Sequence, residues 1–327
     1  MRIQLDPGEP LGWLDEQAIV YGALGAYFQL EELRPDDEAR LEQVNDLVWD
    51  WLGAELSWTL LSAGLDAEPA QRSLLEYISG YPAGLEAMPV PTEELQFTSN
   101  NVIKSTRTNY SVISWGAEPE GSITPYSYRF WAEIGAVPRD STRLPAYAIL
   151  KLTVPESWPL DDFERRVLEI ARVLRLRWGA AGLTYASFEL ADLGSAEQVE
   201  YAHARRYPGY DLGYYVLRAE QFYRRLRTIN WLTFVGPALL AEREAAAGPL
   251  ASTALVEVRP LEGGAVLRAG PRPERGDLNR LKLPAAYREA DALVRSIRHD
   301  GERLDFLNPW DAATTARWIR RFELRPL

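Results

Sequence analysis

Three strand-like runs stand almost back to back in the middle of the chain, at residues 110–115, 126–134 and 146–154. The gaps between them, residues 116–125 and 135–145, carry the turn segments Gly116-Ala-Glu-Pro and Val137-Pro-Arg-Asp. A parallel pair needs a crossover of a dozen or more residues, so strands this close pair antiparallel. The neighbouring segments keep to blocks. A strand is expected over 17–30 and a helix over about 37–54. A loop-rich stretch at 64–96 holds a short helix at 70–78. A long helix over 161–178 precedes a strand at 183–190. Helices over 195–206 and 214–226 flank Tyr207-Pro-Gly-Tyr210, and a strand over 228–235 leads into a helix over 237–247. A hairpin pairs 255–259 with 265–269 across 261–264, and helices over 284–298 and 310–321 close the chain. Blocks of strands and helices without regular βαβ alternation predict an α+β fold. Mixed or antiparallel sheets pack with helices, and a division into two related halves is left open. Residues 1–100 are expected to form an acidic strand–helix part. Residues 101–327 are expected to form the α+β main part, whether or not the two make one continuous domain.

Two helices carry start signals. Asp36 or Asp37 stands where a carboxylate can accept the free N–H groups of a first turn. Behind it Leu41, Val44, Leu47, Val48 and Trp51 recur at helical spacing. In Pro159-Leu-Asp-Asp-Phe-Glu164, Asp161 is the expected N-cap and Glu164 its box partner. Phe163, Val167, Ile170, Leu174 and Trp178 make the apolar stripe, and Gly179 stands at the expected left-handed stop.

Charge is unevenly spread. The 327 residues carry a net −11. Residues 1–100 hold 19 Asp+Glu against 4 Lys+Arg, a net of −15, and the remainder holds 28 against 32, a net of +4. On the first long helix Asp37 is followed by Glu38, Glu42, Asp46 and Asp50, the last four at four-residue intervals. Like charges at that spacing repel. They read either as a solvated face or as a docking surface for a basic partner. Direct nucleic-acid binding is disfavoured, because phosphates would be repelled.

The chain contains no cysteine and two histidines, His203 and His299. This removes disulfides, thiolate metal sites and thiol catalysis, and leaves little for a histidine triad or a metal centre. No phosphate-binding loop, dinucleotide fingerprint, nucleophile elbow or HExxH is present. No cofactor and no metal are expected. The carboxylate pairs Asp36-Asp37, Glu93-Glu94 and Asp161-Asp162 keep a carboxylate-dependent hydrolase as the alternative. Eleven Trp and 16 Tyr mostly occupy core positions, with Tyr207, Tyr210, Tyr214 and Tyr215 as possible contact residues. The first residues, MRIQLDPGEP, lack the pattern of a secretory signal, and no apolar stretch is long enough to span a bilayer. A cytoplasmic location is expected, with no membrane partner.

Several segments in order resemble the type VI secretion immunity family, once known only as a domain of unknown function. They are AIVYGALGAYFQLEEL with the helix that ends at Leu56-Ser-Trp58, and Gly179-Ala-Ala-Gly-Leu183 after the capped helix. Arg206-Tyr-Pro-Gly-Tyr-Asp211 and Ile229-Asn-Trp-Leu-Thr-Phe-Val-Gly236 follow. The last is Ala269-Gly-Pro-Arg-Pro273 with Gly276-Asp-Leu-Asn279. The resemblance implies a cytoplasmic, non-catalytic protein that binds and neutralises a cognate effector toxin. That toxin is expected to be a basic nuclease domain, with no direct nucleic-acid contact by this chain. On this reading Asp37, Glu38, Glu42, Asp46 and Asp50 are the partner-binding candidates. Asn230, Trp231, Gly236, Gly276, Asp277 and Asn279 are expected to hold the scaffold, because motifs shared between inhibitors of different toxins should be structural.

Overall fold

The computed structural model describes residues 10–14, 17–31, 37–56, 58–63, 109–115, 124–133, 147–187, 193–212, 223–301 and 310–323. The expected short helix at 70–78, most of the helix at 214–226 and the pair Glu93-Glu94 lie outside them.

One antiparallel sheet organises the chain. Its strands are β1 (Pro10–Leu14), β2 (Gln17–Leu30), β3 (Trp58–Ala63), β4 (Asn109–Trp115), β5 (Ser127–Glu133), β6 (Tyr147–Pro155), β7 (Leu176–Ser187), β8 (Leu232–Val235), β9 (Val256–Leu261) and β10 (Gly264–Ala269). They lie in the order β3-β4-β5-β6-β2-β7-β8-β10-β9, with β1 paired to the start of β2. The helices are α1 (Glu38–Leu52), α2 (Leu160–Val173), α3 (Leu193–Arg206), α4 (Pro237–Ala247), α5 (Ala285–Val294) and α6 (Ala312–Ile319). This is an α+β arrangement, and the three back-to-back runs are the meander β4-β5-β6.

β2 is the hinge of the topology. It pairs with β6 over 23–29 and with β7 over 20–30, so a strand from the acidic first third lies at the sheet's centre. Side chains alternate between faces along it. Leu24, Ala26, Phe28 and Leu30 share one face with Phe234, whose ring meets Phe28 at 5.3 Å, and α2 covers that face. α1 lies antiparallel on α2. Arg40 near its start donates to Val173 O at 2.9 Å, while Trp51 near its end lies 6.2 Å from Phe163. Leu41, Val44, Val48, Trp51 and Leu52 are the buried stripe of α1, and Phe163, Val167 and Ile170 that of α2. Each such side chain contributes about 1.5–3 kcal/mol on burial, which outweighs the modest repulsion of a four-carboxylate row.

Four local expectations are corrected. The helix expected to reach Trp178 ends at Val173, and Leu176 begins β7. Leu174, Leu176 and Trp178 also fit period two. Eleven residues of pairing with β2 decide for the strand, where Trp178 stacks on Tyr27 at 5.1 Å. Gly179 is therefore no helix stop: a Cβ there would sit 2.7 Å from the Phe28 ring and 2.9 Å from Tyr27 O. The capping box does not form, because α2 starts at Leu160 behind Pro159 without a side-chain cap. Glu164 instead holds Arg259 at 2.8 Å and Arg268 at 3.1 Å across the sheet. Asp37 occupies the N-cap position of α1, yet its carboxylate takes Arg175 at 2.7 Å rather than a helix N–H. The strand expected over 228–235 is regular only from Leu232, since Asn230 and Trp231 are committed to the turn before it.

Candidate functional site

Three features of the described residues are candidates for function: the exposed side of α1, a groove at the start of α2, and a buried polar network beneath the opposite face of the sheet.

On α1, Asp46 and Asp50 are exposed, and neither has an ion-pair partner among the described residues. Glu38 and Glu42 occupy backbone positions on the two preceding turns. Asp37 stands apart. It is 4% exposed and its carboxylate faces Arg175, so it ties the start of α1 to β7 and is withdrawn from any partner.

The groove opens between α2 and the 270–284 loop and has a volume of about 580 Å³. Leu24 and Leu183, cross-strand partners in β2 and β7, form its floor. Trp158 and Leu160 wall one side, and Leu283 and Pro284 the other. Glu156 at the rim accepts from Tyr210 Oη at 2.7 Å and pairs with Arg275 at 2.9 Å. Trp158 also meets the Trp51 ring at 6.2 Å, which puts the groove at the Asp50 end of α1.

The loop is built by the motif residues. Gly276 has φ +66, and a Cβ there would meet Lys282 O at 2.9 Å. Asp277 N donates to Lys282 O at 2.8 Å, and Lys282 N returns a bond to Asp277 O at 2.9 Å. The Asp277 carboxylate accepts from Asn279 N at 3.1 Å and from Arg206 at 3.1 Å, tying the turn to the end of α3. Asn279 contributes its backbone N–H here, and its side chain is exposed. Asn230 is buried. Its Nδ2 donates to Leu183 O at 3.0 Å, and its Oδ1 accepts from Trp231 N at 2.8 Å and Tyr287 Oη at 3.4 Å. Oδ1 occupies the space a side chain would need at Gly182, φ +149. Trp231 is buried with its Nε1 on Gly270 O at 3.1 Å. Gly236 lies so close to β7 that an added Cβ would stand 1.9 Å from Leu176 O.

Under the other face, Tyr27, Lys151, Trp178 and Thr184 point toward α3 and the 207–212 segment. Arg227 is fully buried. It donates to the Asp211 carboxylate and lies 4.7 Å from the Tyr27 ring centroid. Burial raises the Asp211 carboxyl against the pull of Arg227. Burial also lowers Lys151 to about 8, opposed by the Glu200 carboxylate. Tyr210, expected as an exposed contact, lies on the groove's side of the sheet, where Tyr185 pairs with Gly22. It is 2% exposed and stacks on Tyr185 at 5.1 Å. Tyr214 and Tyr215 lie outside the described residues.

His203 sits among these rings, 4.5 Å from Tyr207 and 5.0 Å from Tyr210, and its Nδ1 shares a 2.9 Å hydrogen bond with Tyr185 Oη. Burial first, then the cations Arg275 and Arg206, depress its pKa from 6.5 to about 4. The imidazole is therefore neutral in the fold. Its stabilising share is complete above the unfolded value of 6.5 and is lost as pH falls toward 4. Between pH 7.5 and 4.5 this residue should cost about 2 kcal/mol of stability. Urea unfolding at both values should show a smaller acid loss for His203→Gln than for the parent. Equal losses would contradict the assignment.

Among the described residues no group of three His, Asp or Glu is placed to hold a metal ion, and no helix is long and apolar enough to cross a membrane. A family model described as TsiV, type VI immunity for VRR-NUC, matches residues 92–322. No curated protein matches the chain. Among solved structures, the Pseudomonas aeruginosa T6SS protein PA0821 has the same fold, with a TM-score of 0.70 at 18% sequence identity, over 94% of this chain and 85% of that one.

Proposed function

Since the chain belongs to the TsiV family, type VI immunity for VRR-NUC, we propose that it binds a type VI effector with a VRR-NUC nuclease domain and neutralises it without catalysis. It would do so by covering the surface that grips nucleic acid. The family match carries this reading. The charge distribution supports the mode of action: a nuclease holds phosphates with basic side chains, and an acidic inhibitor is attracted to the same surface. Asp46 and Asp50 on α1, with Glu38 and Glu42 on the preceding turns, form the docking row in this proposal. The matched span begins at residue 92 and leaves out most of the acidic first third. That fits a division of labour in which the exposed charges of the first third are partner-specific, while its central strand β2 builds the scaffold together with residues 101–327. The place of action is the cytoplasm of the producing cell, where an incoming nuclease would meet its substrate.

Co-expression with the nuclease effector of the same locus tests the reading. The two proteins are expected to co-purify, and cells that express the effector are expected to survive only when this chain is present. No complex and no protection would remove it.

A further inference from the structure

We propose that the groove between the start of α2 and the 270–284 loop takes an extended acidic segment of the effector, an attachment point separate from the charged row of α1. This rests on the reading of the chain as an effector-binding protein.

The groove's volume, about 580 Å³, is within the range of binding clefts, and its apolar floor with a few charged groups at the rim is the usual composition of one. The rim charges are unequal in their commitments. Arg275 is spent on Glu156 at 2.9 Å. Arg272 and Lys282 are exposed, and neither has an ion-pair partner among the described residues. Against them stands one exposed carboxylate, Glu274. The groove lining, Arg272, Arg275 and Lys282 against Glu156 and Glu274, therefore stays net positive beside an apolar floor, on a chain of net −11, and complements carboxylates that flank an apolar side chain. A nuclease domain that is basic where it grips phosphates still carries carboxylates around its catalytic metal ions, so one partner can present both charges. Trp158 borders the groove and touches Trp51, next to Asp50, so the groove and the α1 row lie within reach of one partner.

Leu281, next in sequence to the rim residue Lys282 though not itself lining the groove, is an independent observation. It is 62% exposed, and at φ 55 it is the one non-glycine with positive φ among the described residues. A leucine in the left-handed region is strained, and an exposed one gains nothing from burial. The paired bonds between Asp277 and Lys282 hold the turn in this shape. Strain of this kind persists only where the surrounding structure enforces it, and it clusters at binding and active sites. Leu281 would be the apolar anchor that the partner covers.

The test is a titration of the purified chain with the catalytically inactive nuclease domain. The double variant Arg272→Glu/Lys282→Glu should weaken binding at least tenfold at unchanged melting temperature. Leu281→Asn should weaken it about tenfold while raising the melting temperature by about 2 °C, since asparagine accepts the left-handed conformation more readily. A parent complex that forms while both variants bind within twofold of it would overturn the groove as an attachment point and leave the family reading intact. A lower melting temperature for Leu281→Asn would make Leu281 a packing residue and overturn its role as an anchor. Absence of any parent complex would remove both readings.

Discussion

Arg227→Ala should cost about 3–5 kcal/mol of folding stability, a large share of what a typical domain possesses. The Arg227 side chain is fully buried, donates to the Asp211 carboxylate and to Leu212 O, and covers the rings of Tyr27 and Trp178. Truncation would strand a carboxylate that is 3% exposed. It would also loosen the segment that Asp211 secures through its N–H to Leu183 O at 2.9 Å and its carbonyl to Thr184 Oγ1 at 2.8 Å. The variant Arg227→Met/Asp211→Asn removes both charges together, so it should lose less than the sum of the single changes. Urea unfolding of the singles and the double measures the coupling. Additive effects, or a loss below about 1 kcal/mol for Arg227→Ala, would show that the pair is not what holds this layer.

If α1 docks on a nuclease effector as proposed, reversal of Glu38, Glu42, Asp46 and Asp50 to lysine should leave the fold in place and slow association with that effector by about 10- to 1000-fold at low salt. Asp46 and Asp50 carry no ion pair among the described residues, and the stripe that holds α1 to α2 is apolar. The steepness of the salt dependence should fall with the rate, because both report the same long-range attraction. Asp37 is left out of this set. Its loss would break the Arg175 pair and act on stability instead. Stopped-flow association across a salt series separates the two effects. Unchanged rates would place the interface elsewhere.

What the sequence made legible is what short-range pattern encodes. The runs that became β2 and α4 were expected at 17–30 and 237–247, where they are found. The meander β4-β5-β6 follows from three runs with no room for crossovers. The family resemblance rested on motifs whose geometry is now visible, such as Asn230 bonding its neighbours at the start of β8. Long-range partners were not legible. Arg175 lies 138 residues from Asp37, and Arg268 lies 104 from Glu164. Without those partners both carboxylates looked like helix caps. The groove draws on β2, the turn before α2, β7 and the 270–284 loop, and no local signal joins them. At Leu174 and Trp178 two periods fitted equally well, and a choice between them required β2, more than a hundred residues away. Leu281 carried no signal at all, because a leucine at positive φ is visible only in the backbone.

The most direct test of the central claim is a competition between this chain and duplex DNA for the catalytically inactive nuclease domain. If the chain neutralises by covering the nucleic-acid surface, it should displace labelled DNA stoichiometrically. The lysine-reversed α1 variant should require a much higher concentration to do the same. A stable ternary complex, with DNA still bound at saturating immunity protein, would contradict the account.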